Sequence, residues 1–449
     1  MDIVVKIVLF LLSLSLLIIL HELGHFLPAK WFKTRVEKFY LFFDFAPFNS
    51  LWKIKRGGTE YGIGWLPLGG YVKISGMVDE SMDTEALKEA PKPWEFRSKP
   101  AWQRLIIMLG GVTVNFILGF FIFGIMLWHY GKEYIPVSEL KYGMQVDSVL
   151  MNQGLRNGDL VIKVGDKPFD RLEPMTLVRE IALNNANTIT VMRDGQPVVL
   201  TLSPDFGTQL TSTAVQKKYL LLPRVPFEVA KVQPGSPADK TGIKEGDRIV
   251  SFNGEPVPFF EDFAQRANQY KGQAIKLGIL RGADTLLIDL TLLPAGTIGV
   301  QREMDKYYKT EREKYSFAAA IPAGVNEGLS FLNDQFKAFG QMFKGKISAK
   351  DNLGSLISIG NMFPSSFDWE AFWRITASLS LILAFMNLLP IPALDGGYVV
   401  FLLWEVVTGR RVSDAFMEKA VTAGFFLLLG LMIFAFGLDI WRHLLSRFF

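Results

Sequence analysis

The stretch that decides the fold reads IVVKIVLFLLSLSLLIILHELGH and runs from Ile3 to His25. Its apolar part is long enough to help cross a bilayer, which takes about 20 residues. The stretch ends in H-E-x-x-H, and on a helix His21 and His25 lie one turn apart on the same face. The two imidazoles can then hold one metal ion while Glu22 reaches a bound water. The sequence therefore predicts a zinc site inside the membrane.

Two other interpretations of this stretch remain open. Two histidines at the end of a helix need no metal, and a removable signal peptide also contains an apolar run. A signal peptide is disfavoured because Asp2 stands where positive charge is expected and no small-residue cleavage site follows the run. Ionisable groups at membrane depth are costly and usually mark a function, which favours the metal site.

The composition describes a membrane protein with sizeable soluble parts. The chain has 449 residues, of which 49% are hydrophobic, and its mean hydropathy is +0.23. The net charge of +4 gives no reason to expect a nucleic-acid partner. Because there is no cysteine, disulfides and thiolate ligands are excluded. With only four histidines in the chain, a metal site has to recruit a carboxylate or solvent.

Hydropathy predicts four transmembrane crossings, at about residues 3–31, 105–130, 372–404 and 415–441, with tryptophan or tyrosine at several ends. The loops after the first and third crossings are rich in lysine and arginine, so the positive-inside rule places both in the cytosol. The long segment between the second and third crossings is then extracytoplasmic. In a Gram-negative cell it is periplasmic, and the protein is a multi-pass protein of the inner membrane.

The extracytoplasmic segment contains a duplication. GLRNGD at residues 154–159 recurs 88 residues later as GIKEGD at 242–247, and each copy is followed by a β-rich run. Two tandem copies of one small domain are therefore expected. The pattern resembles a bacterial PDZ domain, a fold that binds extended peptides and their C-terminal carboxylates. The family's PGSPA precedes only the second copy, at 234–238, and two rigid spacers without a peptide ligand remain an alternative.

The third crossing supplies a carboxylate. It contains FMNLLPIPALDGG at residues 385–397, in which two prolines break the helix before Asp395. Irregular backbone at membrane depth survives only where it is buried in protein or faces water. As a third ligand, Asp395 would leave the fourth zinc position open for water. The alternative is an aspartate that caps a re-entrant helix, but the pairing with H-E-x-x-H favours the metal.

These motifs together resemble the site-2 protease family of intramembrane zinc metalloproteases, of the bacterial RseP type. The resemblance covers essentially the whole chain: H-E-x-x-H in the first crossing, N-x-x-P-x-P-x-L-D-G-G in the third, and two PDZ-like domains between the second and third. It implies a multi-pass α-helical membrane protein with four transmembrane helices, a membrane-re-entrant β element and two extracytoplasmic PDZ-like α+β domains. It also implies Zn2+ bound by His21, His25 and Asp395, Glu22 as the catalytic base, and Asn387 in contact with substrate.

The resemblance further assigns residues 60–73 to the re-entrant β element. A substrate helix must unwind before its peptide bond can be attacked, and in hydrocarbon the freed N–H and C=O groups need new partners. A strand edge offers such partners. The expected substrate-binding residues of this element are Gly62, Ile63, Gly64, Trp65, Gly69, Gly70 and Tyr71. A hairpin on the cytosolic side that only packs against the helices is the alternative.

The second crossing departs from the family pattern, because Gly111 is followed by Val112 where relatives usually carry proline. The resemblance therefore assigns no role to Asn115. The expected domain boundaries are the first transmembrane helix at 1–31, the loop with the β element at 32–103, the second helix at 104–130, PDZ-like domains at 131–222 and 223–300, a connector with amphipathic helices at 301–371, the third transmembrane segment at 372–404, and a cytosolic turn with the fourth helix at 405–449.

The function implied is hydrolysis of a peptide bond within the transmembrane segment of a single-pass membrane protein, as in regulated intramembrane proteolysis during a stress response. The substrate would be an anti-sigma factor already trimmed by another protease, or a remnant signal peptide. The PDZ pair would exclude uncut proteins or bind the new C-terminus. Two other classes stay open, namely a tandem-PDZ membrane adaptor without catalysis and a membrane-anchored peptidase that acts on soluble chains.

Overall fold

The computed structural model describes residues 2–44, 48, 50–77, 90–216 and 218–443. The chain forms two compact units, one made of residues 1–131, 314–336 and 353–449 and the other of residues 132–313 and 337–352. Of the loop predicted at 81–100, residues 81–89 lie outside the described residues.

The helices, numbered in chain order, are α1 Asp2–Trp31, α2 Ala101–His129, α3 Ser148–Met151, α4 Pro174–Val178, α5 Phe206–Leu210, α6 Thr213–Gln216, α7 Pro237–Lys240, α8 Phe260–Ala267, α9 Phe317–Phe343, α10 Ala349–Asn352, α11 Leu356–Met362, α12 Trp369–Leu388, α13 Asp395–Thr408 and α14 Asp414–His443. The strands are β1 Val36–Leu41, β2 Trp52–Arg56, β3 Thr59–Ile63, β4 Tyr71–Ile74, β5 Lys132–Tyr134, β6 Met144–Val146, β7 Leu160–Val164, β8 Lys167–Pro168, β9 Thr188–Arg193, β10 Gln196–Thr201, β11 Leu221–Pro223, β12 Val229–Val232, β13 Arg248–Phe252, β14 Glu255–Pro256, β15 Ala274–Arg281, β16 Asp284–Thr291, β17 Val300–Arg302 and β18 Glu311–Glu313.

Four helices of the first unit, α1, α2, α12 and α14, are long and apolar enough to cross a membrane. They overlap the four predicted crossings, but α12 covers only the first part of the third, which was predicted at 372–404. The predicted break in the third crossing is also present, because α12 ends at Leu388 and α13 begins at Asp395. Pro390 and Pro392 lie in this break, where they remove backbone donors that a continuous helix would need. Ala393, two residues before the acid, has a φ of 84°, a conformation that is rare outside glycine.

The helices α1 and α2 touch through glycines. A Cβ atom at Gly24 would collide with the backbone of Gly110 and Gly111, and one at Gly110 would collide with the carbonyl of Gly24. Small residues at a crossing let two backbones approach closely, which is how apolar helices gain packing energy where no hydrophobic effect drives them together. This contact brings the middle of α2 against the last two turns of α1.

A four-stranded sheet in the first unit has the order β2-β3-β1-β4. Strand β3 pairs with β1 on one side and β2 on the other, so its backbone groups are used in both directions. Strand β4 pairs antiparallel with β1. Among the described residues, the edge strands of this sheet are therefore β2 and β4, and these are the places where a further strand could be added.

The last transmembrane helix is attached through a buried carboxylate. Asp439 of α14 is fully buried and accepts hydrogen bonds from the backbone N–H groups and the hydroxyls of Ser355 and Ser358, at 2.6–3.0 Å. Ser355 is the N-cap of α11, so the charge lies at a helix N-terminus, where it is favoured. Four donors offset the cost of burying this charge and connect α14 to α11.

The second unit contains the duplication predicted from the sequence as two sheets of matching order. Strands β7 to β10 form a sheet in the order β10-β9-β7-β8, and β13 to β16 form one in the order β16-β15-β13-β14. Each repeat has its own apolar core, with residues such as Leu150, Val161 and Ile189 in the first and Ile249 and Leu277 in the second.

A buried ion pair recurs at the same place in both repeats. In the first, Arg193 donates to both carboxylate oxygens of Asp159, at 2.8 and 2.7 Å. In the second, Arg281 donates to both oxygens of Asp247, at 2.7 Å each. The aspartate is the D of the repeated G-x-x-x-G-D pattern. The signature thus marks a bidentate pair that holds the turn against the sheet.

The second pair makes the stability of its repeat depend on pH. Burial raises the pKa of Asp247, but the hydrogen bonds from Arg281 and from the backbone of Lys244 outweigh it and hold the pKa below its ordinary value of 3.8. A depressed carboxylate pKa contributes stability that is complete above the ordinary value and is lost as the pH falls through the lowered one.

We expect Asp247→Asn to lower the free energy of unfolding of the second repeat by about 2 kcal/mol, because it leaves Arg281 without its charged acceptor. Hydrogen exchange of the amides of β13 and β15 at neutral pH measures the loss. Asp289→Asn is the matched control, because the Asp289 side chain is 79% exposed and its ion pair is weak. Equal effects of the two substitutions would contradict the assigned role of the buried pair.

Candidate metal centre

Three residues from two distant segments meet at the end of α1. Both histidines are nearly buried, and their Nε2 atoms lie 3.3 Å apart. Oδ2 of Asp395, the first residue of α13, lies 3.4 Å from Nε2 of His21 and 3.3 Å from Nε2 of His25. Among the described residues, these three form the one group of histidines and acids arranged to hold a metal ion.

The triangle of these three atoms fits a zinc ion. Zinc binds histidine nitrogen and carboxylate oxygen at about 2.0–2.2 Å, so the ligand atoms of a tetrahedral site lie about 3.3–3.5 Å apart. The three measured separations agree with that spacing. Oδ2 of Asp395 is also buried and has no hydrogen-bond partner among the described residues, which is costly for a carboxylate. A cation between the three atoms would remove this cost.

Helix α2 forms the wall behind the two imidazoles. Nδ1 of His25 donates to the backbone carbonyl of Ile107 at 2.8 Å, which leaves Nε2 bare for a metal. Asn115 lies against His21, with Nδ2 3.1 Å from Nδ1. Gly111 lies between Ile107 and Asn115 on α2, and a Cβ there would collide with the rings of both His21 and His25. None of these α2 residues was predicted from the sequence to belong to the site. The only signal for them in the sequence is the G-x-x-x-N spacing of Gly111 and Asn115.

A cavity of about 450 Å³ opens onto the three ligand residues. Glu22 and Asn387 line it, as does strand β4. The Glu22 carboxylate lies beside the backbone of Val72 in β4. Nδ2 of Asn387 lies 3.3 Å from Nε2 of His21. The predicted catalytic and substrate-contacting side chains are thus in one cavity with the predicted ligands.

The predicted substrate-binding residues of the β element separate into two groups. Gly70 and Tyr71 line the cavity, and Tyr71 begins the edge strand β4. Gly62 and Ile63 lie in the interior strand β3, paired on both sides. A strand added beside Gly62 and Ile63 would have to displace β1 or β2, and contact of these two residues with substrate stays a prediction.

The other three predicted residues of the β element pack inside it. A Cβ at Gly64 would collide with the carbonyl of Phe43, and one at Gly69 would touch the Phe43 ring. The Trp65 ring packs edge-on against Phe48, with centroids 5.2 Å apart. These glycines allow the chain to pass close to its own backbone and to an aromatic ring.

A polar cluster at the cavity wall was missed in the sequence. Tyr71 donates to Asp44 at 2.8 Å, and the Lys38 ammonium lies 3.4 Å from the same carboxylate. Lys38, Asp44 and Tyr71 all line the cavity that holds the ligands. Their irregular spacing along the chain gave no motif, since only the pairing of β1 with β4 brings them together.

Comparison with known proteins identifies the family. The model of peptidase family M50 matches residues 9–431. The regulator of sigma E protease of Haemophilus influenzae is 28% identical over 458 residues, covering 96% of this chain and 98% of that protein. Protease RseP of Yersinia pestis is 29% identical over 459 residues, covering 94% of this chain and 95% of that protein.

A third relative carries the metal in its name. This protein of Neisseria meningitidis, whose name contains the words zinc metalloprotease, is 28% identical over 458 residues, covering 97% of this chain and 98% of that protein. An adaptor without catalysis is therefore rejected. Because the family match spans nearly the whole chain, the chain belongs to peptidase family M50, the site-2 protease family, and is a zinc metalloendopeptidase.

Proposed function

We propose that this enzyme hydrolyses a peptide bond within the transmembrane segment of single-pass membrane proteins, with His21, His25 and Asp395 as its zinc ligands. The observation that carries the proposal is the zinc-sized triangle of ligand atoms at the end of α1, a helix apolar enough to cross a membrane. A soluble peptidase has no need to place its metal site on such a helix. Substrates held in the bilayer are the ones that such a site can reach.

The chemistry follows from the positions of the side chains. His21, His25 and Asp395 would hold a zinc ion that, when bound, would act as a Lewis acid, lowering the pKa of its water from about 15.7 toward 7 and polarising the scissile carbonyl. Glu22, between the two ligand histidines in sequence, takes the proton from the attacking water and delivers it to the leaving amine. Asn387 can donate its amide N–H to the substrate. The buried setting excludes bulk water and strengthens these interactions.

Edge strand β4 is the proposed dock for the unwound substrate. In the described part of the chain, β2 and β4 are the edge strands of this sheet, and of these two only β4 lines the cavity that holds Glu22 and the ligands. A substrate segment added beside β4 would place its peptide groups next to the metal and would satisfy the N–H and C=O groups freed by unwinding. This proposal replaces the pairing with residues 62–63 expected from the sequence.

The names of the relatives point to the biological substrate. Several of these relatives carry the name regulator of sigma E protease. We therefore propose a place in regulated intramembrane proteolysis in the inner membrane, with a trimmed anti-sigma factor as substrate and remnant signal peptides as a second class. The two repeats of the second unit act as periplasmic PDZ-like domains, which admit trimmed substrates and exclude uncut ones.

Glu22→Gln should abolish cleavage, with at least a thousandfold loss of turnover, while zinc stays bound, because the amide keeps the shape but accepts no proton. Asp395→Asn should instead weaken zinc retention, because it removes a charged ligand. Purified variants are compared for zinc content by metal analysis and for cleavage of a transmembrane peptide. Near-normal turnover of Glu22→Gln with full zinc would refute the role of Glu22 as general base.

A cross-linking experiment tests the edge strand. The chain has no cysteine, so single cysteines can be placed at Lys73 in β4 and, as the matched control, at Lys53 in β2. In the Glu22→Gln background, Lys73→Cys should form disulfides with substrate cysteines at alternate positions around the cut site, since side chains alternate along a strand. Lys53→Cys should form none. If Lys53→Cys cross-links and Lys73→Cys does not, the substrate binds beside β2, and the proposal is contradicted.

Replacing residues 132–313 by a flexible linker tests the gate. The chemistry should be spared, because the metal site lies entirely in the first unit. Cleavage of a short, already trimmed transmembrane peptide should persist. The untrimmed membrane protein, which the intact enzyme excludes, should now be cleaved as well. Cleavage rates of both are measured side by side. Loss of cleavage of the short peptide, in a folded and zinc-loaded protein, would show that the repeats have a structural role instead.

A further inference from the structure

A buried amide of α2 faces the metal centre and is only half satisfied. Asn115 is fully buried, and its Nδ2 lies 3.1 Å from Nδ1 of His21. Its Oδ1 is buried too and has no hydrogen-bond partner in the described part of the chain. An unpartnered buried amide oxygen destabilises the folded state, because it loses its hydrogen bonds to water and gains none in the protein. Its position directly behind a metal ligand points to a role for this oxygen.

The two ligand histidines are supported differently. Behind His25 stands the backbone carbonyl of Ile107, which can only accept a hydrogen bond, so Nδ1 of His25 carries the hydrogen. Behind His21 stands a side-chain amide, which offers a donor on one side and an acceptor on the other. A half turn of this amide exchanges Nδ2 and Oδ1 and leaves the shape of the side chain nearly unchanged.

A histidine that binds metal through Nε2 has its hydrogen on Nδ1. If the amide N–H of Asn115 faced that Nδ1 hydrogen, two hydrogen-bond donors would point at each other and no hydrogen bond could form. The amide oxygen in the same place accepts the hydrogen, and the oxygen that lacked a partner gains one. Both requirements are met by the same half turn.

We propose that Asn115 is a positioning residue for the metal centre, whose amide oxygen accepts the Nδ1 hydrogen of His21 and so holds Nε2 bare and directed at zinc. The inference rests on the proposed role of His21 as a ligand. The partner of His25 is a backbone atom that no substitution removes. Asn115 is therefore the side chain through which the sequence of α2 sets the zinc affinity.

The zinc dissociation constant of the purified full-length protein in detergent, measured by competition with a chelator, tests this. Asn115→Leu keeps the bulk without an acceptor, and we expect the dissociation constant to rise about 10–100-fold, as when a hydrogen-bond partner of a ligand is lost. Asn115→Asp keeps an oxygen at the same place and should stay within about threefold of the wild type, since a carboxylate is also a common partner of a ligating histidine.

Ser380→Ala is the matched control. The Ser380 hydroxyl donates to the backbone carbonyl of Asn115 at 2.8 Å, so its loss disturbs the same helix contact without removing the amide. We expect wild-type zinc affinity from this variant. If Asn115→Leu does not fold, Asn115→Ala removes the amide without adding bulk and should show the same rise.

The outcomes separate the possible failures. Wild-type affinity in folded Asn115→Leu, or equal losses in the Leu and Asp variants, would overturn the positioning role. A loss in Ser380→Ala as large as in Asn115→Leu would assign the effect to packing and would overturn it too. His21→Ala serves as the reference: if it retains zinc, the proposed ligand set fails, whereas zinc loss there with none in Asn115→Leu defeats only the present inference.

Discussion

The close contact of α1 and α2 at Gly24, Gly110 and Gly111 is the constraint on which the metal site depends. In a bilayer two apolar helices gain little by merely touching, because lipid offers the same apolar surroundings. Glycines let the backbones come near enough for the carbonyl of Ile107 to reach His25. Any side chain at these positions would push α2 away from the imidazoles.

The second requirement is a helix that stops at the right depth. Two prolines end α12, and the chain re-enters a helix at Asp395, so the carboxylate lies at the start of α13 rather than along a continuous helix face. Gly424 of α14 packs against this break, where a Cβ would collide with the carbonyl of Pro392. The irregular segment is thereby covered by protein, as backbone with unpaired groups at membrane depth must be.

The two repeats of the second unit are stabilised by different interactions from those that pack the apolar helices. Their cores are held together by burial of apolar side chains away from water, and their turns by buried Asp–Arg pairs that recur 88 residues apart. Within the described residues, the candidate ligands all belong to the first unit. The proposed substrate selection by the repeats and the proposed cleavage at the metal site should therefore be separable by mutation.

The sequence by itself determined what depends on local spacing. The i, i+4 spacing of His21 and His25, the helix-breaking prolines and the repeated G-D pattern each act within a few residues, so they could be recognised without the fold. The tertiary structure alone decided which residues lie behind the candidate ligands and which strands lie at the edge of the sheet. Asn115 reaches His21 only through the packing of two helices, and β3, which contains residues 62–63, is an interior strand because β2 and β1 pair with it on both sides. Such contacts join segments far apart in the chain, and no local pattern encodes them.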